Sequence, residues 1–401
     1  MKSGHADLPL HYGRVPKWLA ERMALLGGAI VEAIVLEYGR KAFFSRLSDP
    51  FWFQSLGCVM GMDWHSSGIT TSVMGALKRA VNERSKELGL YFCGGRGKQS
   101  LQTPQELRQV AMKTGIDGEA MVYNSRLAAK VDNTAIQDGF QLYLHHFVVS
   151  IDGDWTIVQQ GMNEDLKLAR RYHWHSAKVQ SFTEEPHSFI YGKRRGPLLN
   201  LTDKAAKSTK QGMLEILKID PREVMEDARK LVMPNRHDVR AEDVNLKRLG
   251  AILALAQEQQ VADTESLLLL PGAGPRTIQS LALISEVIHG TPSRFDDPAR
   301  YSMAHGGKDG HPFPVLTKVY DESIQHLQVA IEAAKLGFRD KSDALVNLAK
   351  AARSMERDFE VAKNGFDNYL KQERDNAWKH GGKTVFGDAK KPKDGEQLSL
   401  F

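Results

Sequence analysis

Apolar positions recur at helical spacing from about residue 17 to residue 47. Trp18, Leu19, Met23, Leu26, Ile30, Ile34 and Leu36 form one stripe, and Phe43, Phe44 and Leu47 continue it. Asp49-Pro50 ends that helix, because a proline disfavours helical backbone in the residue before it. A second helix is expected over 70–87, followed by the short buried strand Gly89-Leu90-Tyr91-Phe92-Cys93-Gly94-Gly95, which closes in a glycine turn. Strand-like residues occupy 140–149, Asp152-Gly153 is a favoured two-residue turn, and 155–160 supplies the return strand. A β-hairpin near 140–162 therefore makes residues 1–195 an α+β domain.

Beyond Gly196-Pro197 the pattern changes. Helical spacing fills 215–218, 221–232, 246–259, 277–289, 320–336 and 342–372 with little strand character between them, so 196–378 reads as an all-α domain. Residues 379–396 are rich in Gly, Lys and Asp, and the tail 379–401 is expected to be a disordered tether. A length of 401 residues suits two domains plus such a tail.

Composition narrows the function classes. The net charge of +5 permits nucleic-acid binding without establishing it. Two cysteines, Cys58 and Cys93, cannot form a disulfide framework, and neither belongs to a CxxC pair, which removes the usual zinc and iron–sulfur ligand sets; no metal or cofactor is expected. No apolar run approaches the ~20 residues that span a bilayer. No membrane partner is expected, and the cytoplasm, with the nucleoid, is the expected location.

The sharpest internal motif is Leu270-Pro271-Gly272-Ala273-Gly274-Pro275-Arg276-Thr277, between an apolar helix end and an amphipathic helix. Glycines two apart allow a tight turn whose N–H groups hold a phosphate oxygen at the start of the next helix. The segment 264–290 resembles the helix-hairpin-helix of DNA-binding proteins, with Gly272, Gly274, Arg276 and Thr277 as its DNA contacts. It is also similar to the DNA glycosylases in which a catalytic aspartate follows the hairpin. Asp296-Asp297 stands at the matching distance, and Asp297 would stabilise the cationic sugar. Lyase-active members carry a lysine before the hairpin threonine, where this chain has Arg276, which cannot act as an amine nucleophile. Lys130 or Lys308 would have to supply that amine; the alternative is that each is an ordinary charged residue.

The C-terminus, Gln397-Leu398-Ser399-Leu400-Phe401, is similar to the bacterial sliding-clamp-binding peptide. Gln397, Leu398, Leu400 and Phe401 are its clamp contacts, since large apolar side chains on a polar tether suit a partner's pocket. Basic clusters at Arg170-Arg171, Lys193-Arg194-Arg195 and Lys204, Lys207 and Lys210 are further DNA-binding candidates. Asp63, His65, Gln160, Trp174, His305 and Asp309 are candidates for a pocket. Asp132, a further catalytic candidate, would in another reading join Asp138, Asp152 and Asp154 in a magnesium nuclease site.

Over nearly its full length the chain resembles the domain of unknown function family 763 of archaea and bacteria. The resemblance rests on Ala6-Asp7-Leu8-Pro9-Leu10-His11-Tyr12-Gly13, Asp63-Trp64-His65-Ser66-Ser67-Gly68, Ala129-Lys130-Val131-Asp132, Gln159-Gln160-Gly161-Met162-Asn163, Arg170-Arg171-Tyr172-His173-Trp174 and Ala304-His305-Gly306-Gly307-Lys308-Asp309-Gly310. It implies glycosylase action on oxidised cytosine, such as 5-hydroxycytosine, with accompanying AP-lyase cleavage. The partners expected are double-stranded DNA and the bacterial sliding clamp. The rival readings are a metal-dependent DNA nuclease and a non-catalytic, clamp-associated DNA-binding adaptor.

Overall fold

The computed structural model describes residues 8–10, 15–62, 66–192, 194, 196, 198–230, 246–291, 293, 295–299, 317–358, 383–384 and 387–388. After the short strand β1 (Leu8–Pro9), helix α1 (Lys17–Leu47) buries Met23, Gly27, Ile30, Val31 and Ile34, a helical repeat, and its backbone breaks at Gly39 with φ +82°. Trp18 and Leu36 do not share the stripe expected of them: they are 61% and 73% exposed. Leu36 lies two residues after Ile34, about 200° around a helix and so on its far side. Asp49 stops α1 and also starts α2 (Pro50–Val59), its carboxylate accepting from the N–H groups of Phe51 at 2.7 Å and Trp52 at 3.0 Å. Helices α3 (Gly68–Glu83) and α4 (Ser85–Leu88) then lead into strand β2 (Leu90–Arg96).

Helices α5 (Thr103–Thr114) and α6 (Gly118–Lys130) precede a π-helical turn, Val131–Ala135. Strands β3 (Gln141–Ser150) and β4 (Trp155–Asn163) form the expected hairpin, and Gly153 takes φ +83° in its turn. Strand β5 (Leu168–His175) is the element the sequence pattern hides. It sits inside the antiparallel order β1-β5-β4-β3-β2, with β6 (Phe189–Tyr191) also paired to it. Periodicity failed there because Arg170, Arg171, His173 and His175 are polar on both faces of a strand that is nonetheless buried.

Both faces of the sheet are covered. Phe147, Val149, Ile157, Tyr172 and Trp174 face one core, which α5 and α6 share with α7 (Lys207–Ile216), α8 (Pro221–Lys230), α9 (Leu246–Glu258), α10 (Thr264–Leu269) and α11 (Pro275–His289). Val148, Val158 and Phe92 face the other, built from α1–α3 with α12 (Thr317–Ala333) and α13 (Phe338–Asp358). The fold is mixed α and β with an antiparallel sheet in the N-terminal half, and the first core takes in residues from both sides of position 195. Residues 5–351 form one compact unit; residues 1–4 with 352–401 form another, in which Lys383–Thr384 pairs with Gly387–Asp388. No helix among the described residues is long and apolar enough to cross a membrane.

Candidate functional site

Helices α10 and α11 meet at the five-residue loop 270–274, where Gly272 takes φ +85°, a left-handed backbone that glycine adopts without a Cβ clash. Three side chains from elsewhere in the fold hold the carbonyls of this loop and the helix start. Arg248 donates to the Gly272 oxygen at 3.1 Å, Lys130 Nζ to Ala273 at 2.7 Å, and Gln137 Nε2 to Pro275 at 2.8 Å. The N–H groups of Gly272, Gly274 and Arg276 take no partner among the described residues. Gly272 and Arg276 are exposed and Gly274 is half-exposed, whereas Thr277 is buried, leaving only its backbone N–H for such a site. Carbonyls braced from within and N–H groups left unpaired at a helix start, beside Arg248 and Arg276, make a place suited to an anion.

The π-helical turn lies directly behind this loop, and both α10 and α11 pack on it. Lys130 ends α6 just before the turn and Gln137 follows it, so the segment that braces the hairpin also carries Asp132 to the sheet. Asp132 is wholly buried. It accepts from Gln159 Nε2 at 2.5 Å, from Trp174 Nε1 at 3.0 Å, and from His187 Nε2. Gln159 Oε1 in turn meets His145 Nδ1 at 2.8 Å, and His145 Nε2 meets Ser125 Oγ at 2.8 Å. Burial pushes the Lys130 ammonium below the usual lysine range, and Arg248 adds to the shift. That is the direction an amine nucleophile needs, but the atom itself is spent on the Ala273 carbonyl.

Several expected contacts lie elsewhere. Arg170 and Arg171 are 1% and 0% exposed, so neither is a surface DNA contact. Strand alternation sends them to opposite faces of a sheet covered on both sides. Arg170 is bound by Asp138 at 2.9 Å and by both oxygens of Asp297, at 2.9 and 2.8 Å. Burial pulls this guanidinium down, but Asp138, Tyr172 and Asp297 outweigh it and raise its pKa. Asp297, expected as the catalytic acid, is enclosed in the same cluster. Its carboxylate is 2% exposed and already satisfied by Arg170 and the Ala299 N–H at 2.8 Å. Spacing along the chain placed an acid after the hairpin, but the loop turns that acid inward.

Arg171 lies on the other face, donating to Gln54 at 2.9 Å, His173 at 2.8 Å and Thr70 at 3.2 Å. Gln160 joins that set through Thr70, Tyr143 and the Ser67 carbonyl. The register pairs Gln160 with Arg171 and Gln159 with Tyr172, so Gln160 and Trp174 occupy opposite faces and share no pocket. Arg194 is the basic residue of its cluster that the structure describes, and it is tied to Asp296 at 2.7 Å and the Asp297 carbonyl at 2.9 Å. Lys210 is buried against the Thr183 carbonyl at 2.7 Å, away from exposed Lys204 and Lys207. Asp152 pairs with Arg40 in the exposed hairpin turn, far in character from buried Asp132 and Asp138. No three His, Cys, Asp or Glu side chains gather as a metal-holding group among the described residues.

Asp63, His65, Lys193, Arg195, His305, Lys308 and Asp309 lie outside the described residues, as do Gln397, Leu398, Leu400 and Phe401. His187, the partner of Asp132, was not picked out from the sequence. A histidine after Glu184-Glu185-Pro186 has no spacing that ties it to Asp132, fifty-five positions away.

The buried imidazoles give the fold a marked pH dependence. His145, His146 and His173 are held below the ordinary histidine range, chiefly by burial, His146 at about 3. An unfolded histidine titrates near ~6.5, so below that pH the unfolded chain takes protons that the folded interior refuses. The stabilisation is full above pH ~6.5 and is lost as pH falls, by up to about 1.4 kcal/mol per pH unit for each histidine. Urea unfolding at two pH values on either side of that point is expected to show a loss of at least about 1 kcal/mol on the acid side. Equal stabilities would mean that these imidazoles are charged inside the fold.

The family described as "Protein of unknown function (DUF763)" matches residues 4–315. No curated protein and no solved structure matches the chain.

Proposed function

We propose, for a chain that belongs to the DUF763 family, the role of a DNA-repair glycosylase that grips duplex DNA through the α10–α11 hairpin. Its reaction would be excision of an oxidised pyrimidine such as 5-hydroxycytosine, flipped out of the stack. The observation that carries this reading is the bracing of the hairpin by Lys130, Arg248 and Gln137 through its carbonyl oxygens. Unpaired N–H groups at such a helix start hold a phosphate without reading sequence, and the exposed guanidiniums of Arg248 and Arg276 supply the accompanying charge. In this reading the chemistry lies behind the hairpin, where Asp132 of the π-helical turn meets the sheet, and Lys308 is the amine of any lyase step. The terminal Gln397, Leu398, Leu400 and Phe401 would dock the enzyme on a bacterial sliding clamp.

The deciding experiment incubates the full chain with duplexes carrying single pyrimidine lesions, in EDTA, and measures released base by chromatography. Free base from the 5-hydroxycytosine duplex and none from the undamaged duplex is the expected result. Salt-sensitive duplex binding without base release from any lesion would replace the enzyme with an adaptor. Strand cleavage seen only when magnesium replaces EDTA would replace it with a nuclease.

A further inference from the structure

We infer that His187, oriented by Asp132, is the proton-transfer residue of the excision reaction; the inference rests on the glycosylase reading and names a catalytic residue for it. Asp132 itself is enclosed and fully engaged. One carboxylate oxygen takes Gln159 and Trp174, the other takes His187. An ionised carboxylate only accepts, so each partner must donate. Gln159 therefore turns its amide nitrogen to Asp132 and its oxygen to His145, which makes His145 Nδ1 a donor and His145 Nε2 the acceptor of the Ser125 hydroxyl. The chain Ser125, His145, Gln159 is thus polarised toward Asp132, and its donors reinforce one another.

The same logic fixes His187. Its Nε2 carries the proton given to Asp132, so a neutral ring presents a lone pair at Nδ1. Nδ1 takes no hydrogen bond among the described residues and is not among the enclosed, unpaired polar atoms of the fold. The ring cannot turn freely: it stands edge-on to Trp174, centroids 4.4 Å apart at 60°, with Tyr172 at 6.1 Å. The side chain is 7% exposed where that of Asp132 is 0%, so the imidazole is the less enclosed member of the pair. The titratable groups facing it are Asp132 from the π-helical turn and Tyr172 from β5, while His173 acts on it only through the sheet, from the opposite face. A buried carboxylate that fixes tautomer and orientation, with the opposite ring nitrogen left over, is the arrangement of a general base.

In the reaction, water attacks the sugar carbon C1′ as the C1′–N bond to the damaged base breaks. The electron pair of that bond leaves with the base. His187 Nδ1 takes the proton of the attacking water and then gives it to the departed base, so the products are free base and an abasic sugar, and the imidazole ends neutral. Asp132 is a positioning residue that stabilises the transient imidazolium.

The test is single-turnover base release from the 5-hydroxycytosine duplex as a function of pH, for the full chain and for His187→Gln and His187→Ala. Glutamine keeps a donor for Asp132. Loss of about 10²–10⁴-fold in rate, with unchanged duplex affinity and loss of the acid limb of the pH profile, is the expected result. Added imidazole should restore part of the rate to His187→Ala, which a merely structural histidine would not allow. If either variant releases base within about threefold of the natural chain with the acid limb intact, the inference is overturned while the glycosylase reading stands. Should His187→Gln fail to fold, His187→Ala with imidazole decides alone: no rescue overturns the assignment. If the natural chain releases no base, the reading and the inference fall together.

Discussion

Replacing Arg170 with methionine is expected to destabilise the protein by about 3–5 kcal/mol, the usual cost of stranding buried charges. The guanidinium is 1% exposed and is the shared partner of two carboxylates, Asp138 and Asp297, that are equally enclosed. Asp138 also accepts from the Tyr172 hydroxyl at 2.7 Å, so the cluster joins β5 to the loop after α11 and to the segment after the π-helical turn. Methionine restores the volume of the side chain's stem but neutralises neither acid. Urea unfolding at pH 7.5 measures the loss. Arg194 supplies the control, because it contacts the same loop at Asp296 but is 31% exposed. Arg194→Met should cost less than about 1 kcal/mol, as exposed ion pairs do. Asp297→Asn combined with Arg170→Met should recover part of the loss, since the double variant strands one charge instead of two. If Arg170→Met alone costs under about 1 kcal/mol, the two acids are protonated in the fold and the cluster is not ionic.

How far the sequence foretold this arrangement depended on whether a residue's neighbours along the chain were also its neighbours in space. Helices α1 and α3 and the β3–β4 hairpin were legible, because periodicity and turn chemistry are local. The loop 270–274 was legible for the same reason, glycine at φ +85° having few other uses between two helices. Strand β5 was not, since an interior strand whose buried side chains are Arg, Tyr, His and Trp shows no apolar alternation. Arg170 and Arg171 looked like a surface patch because two adjacent arginines usually are one. Only the acids and amides brought to them from residues 54, 138 and 297 make their burial tolerable. The Asp132 centre draws on residues 125, 145, 159, 174 and 187 as well. None of these separations is a motif spacing, so the centre exists only once the sheet has formed.

That dependence separates two ways of disabling the hairpin, and the strongest expected effect on DNA binding follows from it. Gly272→Val is expected to weaken affinity for undamaged duplex by about 10- to 100-fold, the worth of one or two hydrogen bonds to a charged phosphate. Two causes act together. A side chain at φ +85° is strained, and its Cβ would meet Ile252 at 3.1 Å, so the loop must leave the conformation that frees its N–H groups. Global stability should fall by only about 1–2 kcal/mol, because the loop is exposed and the helices on either side keep their own apolar contacts. Arg276→Ala works differently: it keeps the loop and removes one charge. Its mark is a plot of log affinity against log salt concentration that is shallower by about one unit. Fluorescence anisotropy across a salt series reads both effects. Equal affinity and equal salt slope for the two variants and the natural chain would move DNA binding off α10 and α11 altogether. The bracing by Lys130, Arg248 and Gln137 would then be packing alone, serving to lock α6 and α9 against the hairpin.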